Sequence, residues 1–191
     1  MCQGILVIRH GAIENKLPKR FIGSLDLPLS HGGVRQIRNV AKHLPNEISA
    51  KLVCLVSSDL GRCVESATIL RQELGCDVPV KIDPGLREIS LGAWEGLSLA
   101  EVKAQCPGQY LLRGLQFASF VPPGGESFRM LARRVFLSLE YWQKKYQAGL
   151  IGIVTHAGVM RVILARYLAL PLGDVLKIPL DYGCYFQFEN L

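Results

Sequence analysis

At 191 residues the chain has the length of one medium domain, enough to bury a core without metal or disulfide staples. With 49% hydrophobic and 20% charged residues it cannot be a disordered chain. The net charge of +6 comes from 22 Lys and Arg against 16 Asp and Glu spread along the chain. It contains no basic run of the length that a nucleic-acid arm needs, which points to a solvated surface with a local anion site.

Ile5, Leu6, Val7 and Ile8 form an unbroken apolar run, the pattern of a strand buried on both faces of a parallel sheet. It runs straight into Arg9, His10 and Gly11. The carboxyl ends of strands are where open α/β sheets bind ligands, and Gly11 permits close backbone approach. A long polar loop follows, ending at Ser30, a candidate N-cap for the amphipathic stretch 33–44. A loop of that length in a compact domain is usually functional.

The second apolar strand is 51–56. Behind it Ser58 is the expected N-cap of a helix carrying Leu60, Val64, Ala67 and Leu70 at helical spacing. Arg62 then falls in the first turn, where a bound anion would offset an unfavourable cation at the positive helix end. A short strand (78–82) leads into an irregular insertion rich in Gly and acidic residues. Residues 122–146 read as a long amphipathic helix with Glu126 near its favourable N-terminal end. Residues 152–154 repeat the opening arrangement: an apolar strand, then Thr155, His156, Ala157 and Gly158, then a helix. Residues 184–190 close the chain as an alternating edge strand.

With no repeat, linker or low-complexity segment, residues 1–191 are expected to form a single domain. Strands alternating with helices imply an α/β fold, a three-layer α/β/α sandwich on a mostly parallel central sheet with right-handed crossovers. The six cysteines lie far apart without zinc spacing and read as reduced, mostly buried thiols; His31 and His43 read as surface or helix residues. The N-terminus is too short before Arg9 for a signal peptide, and His156, Arg161 and Arg166 interrupt the most apolar stretch. A soluble cytoplasmic protein with no membrane partner is expected.

Three strands thus end in residues that suit phosphate: Arg9 with His10, Ser58 with Arg62, and His156. A parallel sheet sets its carboxyl ends along one edge, so these residues can share a pocket. Guanidinium groups match phosphoryl oxygens, and a neutral imidazole can attack phosphorus. Glu88 is the expected acid for the leaving oxygen, because a carboxyl group beside a phosphate is pushed toward its protonated form; Glu95 lies one short loop away. No Asp cluster offers hard ligands for magnesium, so no metal or cofactor is expected. Trp94 reads as a loop anchor, and Cys63 as a buried helix residue.

The stretches RHG, SSDLGRCVESA, LREISLGAWEG and THAGV, with FIGSLDLPLSHGG between the first two, resemble the histidine phosphatase superfamily, the phosphoglycerate mutase-like proteins. The resemblance covers most of the chain. It implies that His10 is the phosphorylated nucleophile, that Arg9, Arg62 and His156 hold the phosphoryl oxygens, and that Glu88 donates the proton. Gly23 and Ser24 either contact the phosphate or serve as turn residues. Ala12 and Ile13 replace the acidic and hydroxyl residues usual after RHG, and either Asn15 or Lys16 takes the outer phosphate contact.

Compact size, PPGGESF and IPLDYGCYFQFE look like the α-ribazole phosphatase branch, which would place the chain in cobalamin assembly with α-ribazole 5′-phosphate as its small phosphorylated substrate. The alternatives are a sugar-phosphate phosphatase similar to the fructose-2,6-bisphosphatase domain, a phosphoglycerate mutase-type phosphotransferase, and a non-catalytic phospholigand-binding protein on the same fold. The oligomeric state cannot be read from these residues.

Overall fold

The computed structural model describes residues 4–14 and 20–189. Asn15 and Lys16 lie outside them. The chain order is β1 (Gly4–Arg9), α1 (His31–His43), α2 (Asn46–Ser49), β2 (Leu52–Ser57), α3 (Gly61–Leu74), β3 (Val80–Ile82), α4 (Leu99–Gln105), α5 (Pro107–Leu115), α6 (Phe128–Lys145), β4 (Leu150–Thr155), α7 (Ala157–Tyr167) and β5 (Tyr185–Phe188). The strands form one sheet in the order β3-β2-β4-β1-β5. Within this sheet β1 and β5 pair antiparallel, and the other described pairings are parallel.

The apolar run of β1 is buried on both sides, as its lack of alternation implies. Ile5 and Val7 join a core that includes Leu131, Val135 and Leu139 of α6 and Val159 and Ile163 of α7. Leu6 and Ile8 face the other way, into a core with Ile37 and Val40 of α1 and Cys63, Ala67 and Leu70 of α3. Two cores on opposite sheet faces make the three-layer α/β/α sandwich. Among the described residues, no helix is long and apolar enough to cross a membrane.

Ser30 caps α1 as expected, its hydroxyl accepting the Gly33 N–H at 3.0 Å. Ser58 does not cap α3. The cap position belongs to Leu60, which makes no side-chain cap bond, and the first N–H of the helix is taken by the carboxylate of Asp26 from a distant loop at 3.0 Å. A partner from elsewhere in the chain thus frees Ser58 for other contacts.

The insertion between β3 and α6 is more regular than its composition suggests. Two 3-10 turns, Pro84–Leu86 and Gly92–Trp94, precede α4 and α5. Ser98 and Glu101 close a reciprocal capping box at the start of α4. Trp94 is 1% exposed, packed with Val102 and Phe120 in a third small core. It anchors this wall of the molecule, as the sequence suggested.

Candidate active site

Strand register assembles the site. Arg9 of β1 lies opposite Thr155 of β4, and Ser57 of β2 opposite Val154. The residues that follow continue the ladder by one rung: His10 N–H donates to Thr155 O and Ser58 N–H to Val154 O, both at 3.0 Å. His10, Ser58 and His156 therefore leave the sheet side by side. Their relative positions are set by backbone hydrogen bonds between buried strands.

The rings of His10 and His156 meet edge to face, 5.1 Å between centroids. Nδ1 of His10 lies 2.7 Å from the Gly11 carbonyl, which only accepts, so Nδ1 carries the proton and Nε2 keeps a free lone pair. The pKa of His10 is lowered to about 3, mainly by burial and then by the Arg62 and Arg9 charges. His156 is likewise held well below the ordinary value by burial, with further repulsion from His10, Arg62 and Arg9. Its Nδ1 accepts from Arg62 Nε at 3.3 Å, so its Nε2–H donates to Ser58 Oγ at 2.8 Å. The two imidazoles are neutral in opposite tautomers.

Arg62 is 2% exposed. Its terminal nitrogens donate to Leu25 O at 2.5 Å and Gly23 O at 3.1 Å, so the loop after β1 holds the guanidinium in place. Arg9 donates Nη1 to Leu180 O at 2.6 Å, while its buried Nε has no hydrogen-bond partner among the described residues. The Arg9 side chain also lines the cavity described below, where its guanidinium can meet a phosphoryl oxygen. Cys63 packs 3.3 Å from His156 Nε2, and burial drives its thiol well above the ordinary value; it is an inert wall residue, not a nucleophile.

Glu88 reaches the same place from the insertion. Its carboxylate accepts from Ile89 N–H at 2.9 Å and from Gly158 N–H at 3.1 Å, in the first turn of α7. A Cβ at position 158 would stand 2.2 Å from Glu88 Oε1, so only glycine admits the carboxylate there. Arg134 of α6 fixes the loop backbone through Gly85 O (2.9 Å) and Glu88 O (3.1 Å), and itself pairs with Glu126. Thr155 Oγ1 donates to Leu86 O at 2.8 Å. A rigid helix and a central strand thus aim a loop side chain.

Arg9, His10, Gly23, Arg62 and Glu88 line one cavity of about 240 Å³. Glu95 and Ser24 do not, and His156 lies behind the cavity, fully buried against His10 and Arg62. Glu95 Oε1 accepts from Ser24 N–H (2.8 Å), Ser24 Oγ (2.7 Å) and Leu91 N–H (3.0 Å), tying the two site loops together. The sequence favoured Glu88 over its neighbour Glu95 as the acid, and of the two it is Glu88 that lines the cavity.

Tyr182 was missed. It lies 3.8 Å below the Arg9 guanidinium and 5.5 Å from the His10 ring. The signal was the closing strand: β5 runs antiparallel to β1 with Tyr185 opposite Ile8, so residues just before it must sit at the carboxyl end of β1.

Two arginines and two neutral imidazoles converging at the strand ends of a three-layer sandwich, with a carboxylate opposite, form an arrangement chemically suited to a phosphate group. Residues 5–189 match the model of the histidine phosphatase superfamily (branch 1), and the chain belongs to that family. The solved structure of a mycobacterial glucosyl-3-phosphoglycerate phosphatase superposes with a TM-score of 0.80 at 28% identity, covering 97% of this chain and 89% of that one. The adenosylcobalamin/α-ribazole phosphatase of Salmonella typhimurium is 26% identical over 96% of this chain and 88% of its own length. A bifunctional protein of Mycobacterium tuberculosis is 32% identical over 93% of this chain, which spans about half (47%) of that relative's length.

Proposed function

We propose that the chain is a metal-independent phosphomonoesterase working through a phosphohistidine on His10. The observation that carries this is the His10 tautomer: Gly11 O fixes the proton on Nδ1, and burial keeps the ring neutral, leaving the Nε2 lone pair available. Nε2 attacks phosphorus as the ester P–O bond breaks in line, and Glu88 in its protonated form delivers its proton to the leaving oxygen. The imidazolium so formed keeps its Nδ1–H bond to Gly11 O. Glu88, now a carboxylate, takes a proton from water; the hydroxide attacks phosphorus, the P–N bond breaks, and its electron pair returns to Nε2. Arg9 and Arg62 hold the phosphoryl oxygens, with Gly23 beside them, and His156 joins them by turning its Nε2–H from Ser58 Oγ to the bound phosphoryl group; alignment and positive charge supply the catalysis.

The substrate is a small phosphorylated metabolite. α-Ribazole 5′-phosphate is the reading that the closing and PPGGESF stretches favour, and the Salmonella relative carries that name. A cavity beside Glu88 walled by Phe21, Ile89, Leu91 and Phe128 suits its flat base. A second reading, an ester with an acidic leaving group, is favoured by two arginines on the same cavity. A broad-specificity sugar-phosphate phosphatase, a mutase and a binding protein remain as outcomes of the test.

That test is phosphate release in excess EDTA by wild type and His10→Ala. The panel is an aryl phosphate, α-ribazole 5′-phosphate, fructose 2,6-bisphosphate and 3-phosphoglycerate. Wild type should release phosphate and the variant should lose about 10⁴-fold or more. Full activity in the variant would overturn the mechanism, isomerised product without release would make it a mutase, and no turnover at all a binding protein.

A further inference from the structure

Glu88, Gly23, Phe21 and Leu91 also line a second cavity, of about 320 Å³, so it opens from the catalytic one on the side of the proposed acid. A leaving group protonated by Glu88 has to lie there. Most of its wall is apolar, including Phe21, Ile89, Leu91 and Phe128, but Arg113 of α5 and Arg161 of α7 also face it.

These two guanidiniums are placed against their own interest. Both are half-buried, and burial lowers both from the ordinary arginine value; in Arg161 repulsion from Arg9 adds to this and the Glu88 carboxylate offsets only part of it. Neither has a carboxylate within 4.0 Å among the described residues. Arg113 instead leans on Phe117 and Phe21, 4.8 and 5.8 Å from their ring centres. Arg161 donates one bond, from Nε to Ile178 O at 3.3 Å. Its place is rigid: it sits three residues after Gly158 on α7, on the helix face whose first turn holds Glu88. Charged donors half out of water, unpaired, and facing a ligand cavity suit an anion supplied by the ligand.

We propose that Arg113 and Arg161 form a subsite for an acidic group on the leaving group, so that the preferred substrate is a phosphomonoester whose alcohol carries an apolar segment and a carboxylate or second phosphate. This rests on the phosphatase reading above and chooses between its two substrate classes. The apolar wall takes the body of the alcohol; the arginines read its far end. A neutral leaving group such as a nucleoside leaves both charges desolvated and unpaired.

The test uses one matched pair: the phosphate ester of 3-(4-hydroxyphenyl)propanoate and that of its methyl ester. The two leaving oxygens are nearly equal in basicity and differ only in the remote charge. Phenyl phosphate reports on the phosphatase itself. Wild type should prefer the acid over the methyl ester by about 10- to 100-fold in kcat/KM. Arg161→Gln and Arg113→Gln should each reduce that preference, their combination should abolish it, and lysine at either position should restore part of it. A mere loss of packing lowers both esters together and leaves the ratio unmoved, and thermal unfolding checks the fold of each variant. Turnover of phenyl phosphate with no preference for the acid, or a preference that survives the double substitution, overturns the subsite. No turnover of phenyl phosphate and no phosphorylation of His10 instead overturns the phosphatase reading.

Discussion

The two walls of the catalytic cavity are made in different ways. The wall that carries His10, Ser58 and His156 consists of the ends of adjacent buried strands, locked by main-chain bonds and packed against cores on both sheet faces. The opposite wall consists of the loop around Gly23, the loop of Glu88 and the insertion helices, held together by single side chains such as Glu95 and Arg134. The first wall is stiff and chemically uniform; the second can change in sequence without disturbing the sheet. On the proposed mechanism the nucleophile belongs to the first wall, while the second supplies the acid and, with Arg161 of α7, most of the contacts to the leaving group.

Glu88 is where the comparison is most exposed, because it stands on the loop wall yet is the acid of the proposed mechanism. Its link to the sheet side is the 3.1 Å bond from Gly158 N–H, and Gly158→Ala would put a methyl group 2.2 Å from Oε1. Turnover of alkyl phosphates should fall by about 10²-fold or more, whereas 4-nitrophenyl phosphate, whose leaving group needs no proton, should fall far less. Glu88→Gln should give the same pattern. Equal losses on both substrates, in either variant, would remove Glu88 from the acid role.

The stiff wall also has a pH signature. His10 titrates at about 3 in the folded chain and at 6.5 when free, so its folded value is depressed. Below 6.5 the unfolded chain binds a proton that the folded chain refuses, and stability falls as pH drops from 6.5 toward 3. The slope is about 1.4 kcal/mol per pH unit, a factor of about ten in the folding equilibrium. His156 is depressed in the same direction and adds to it. Between about pH 7 and pH 5, denaturant unfolding should show wild type losing about 2 kcal/mol more than His10→Ala. Parallel stability curves would mean that His10 is not buried as a neutral ring.

The stiff wall was the legible one. An apolar run without alternation announces a strand buried on both faces, and parallel strands must bring their ends together, so Arg9, His10 and His156 could be placed from the sequence. Ser58 was rightly set at the strand end but wrongly read as a cap, because a local rule, serine before a helix, lost to a distant carboxylate: Asp26 bonds the first N–H of α3, and Ser58 Oγ accepts from His156. Helices α4 and α5 were overlooked in a Gly-rich insertion, although Ser98 with Glu101 three residues on was a readable start signal. Arg113 and Arg161 could not be found, since charge on a helix reads as solvent-facing until tertiary packing places a cavity beside it.

Ser24 gives the smallest and most discriminating test of the division between walls. The sequence offered it either as a phosphate contact or as a turn residue, and in the structure its hydroxyl donates to Glu95 Oε1 at 2.7 Å while its N–H does the same at 2.8 Å. Ser24→Ala removes one of these bonds and keeps the other. The loop should loosen slightly, and with it the Gly23 and Leu25 carbonyls that hold Arg62. One lost bond of this kind is worth about 1 kcal/mol, so kcat/KM should fall only about two- to fivefold, equally for every leaving group. A loss as large as that of an arginine ligand would mean that the hydroxyl leaves Glu95 and touches the phosphoryl group, and the loop wall would then take a direct part in the chemistry.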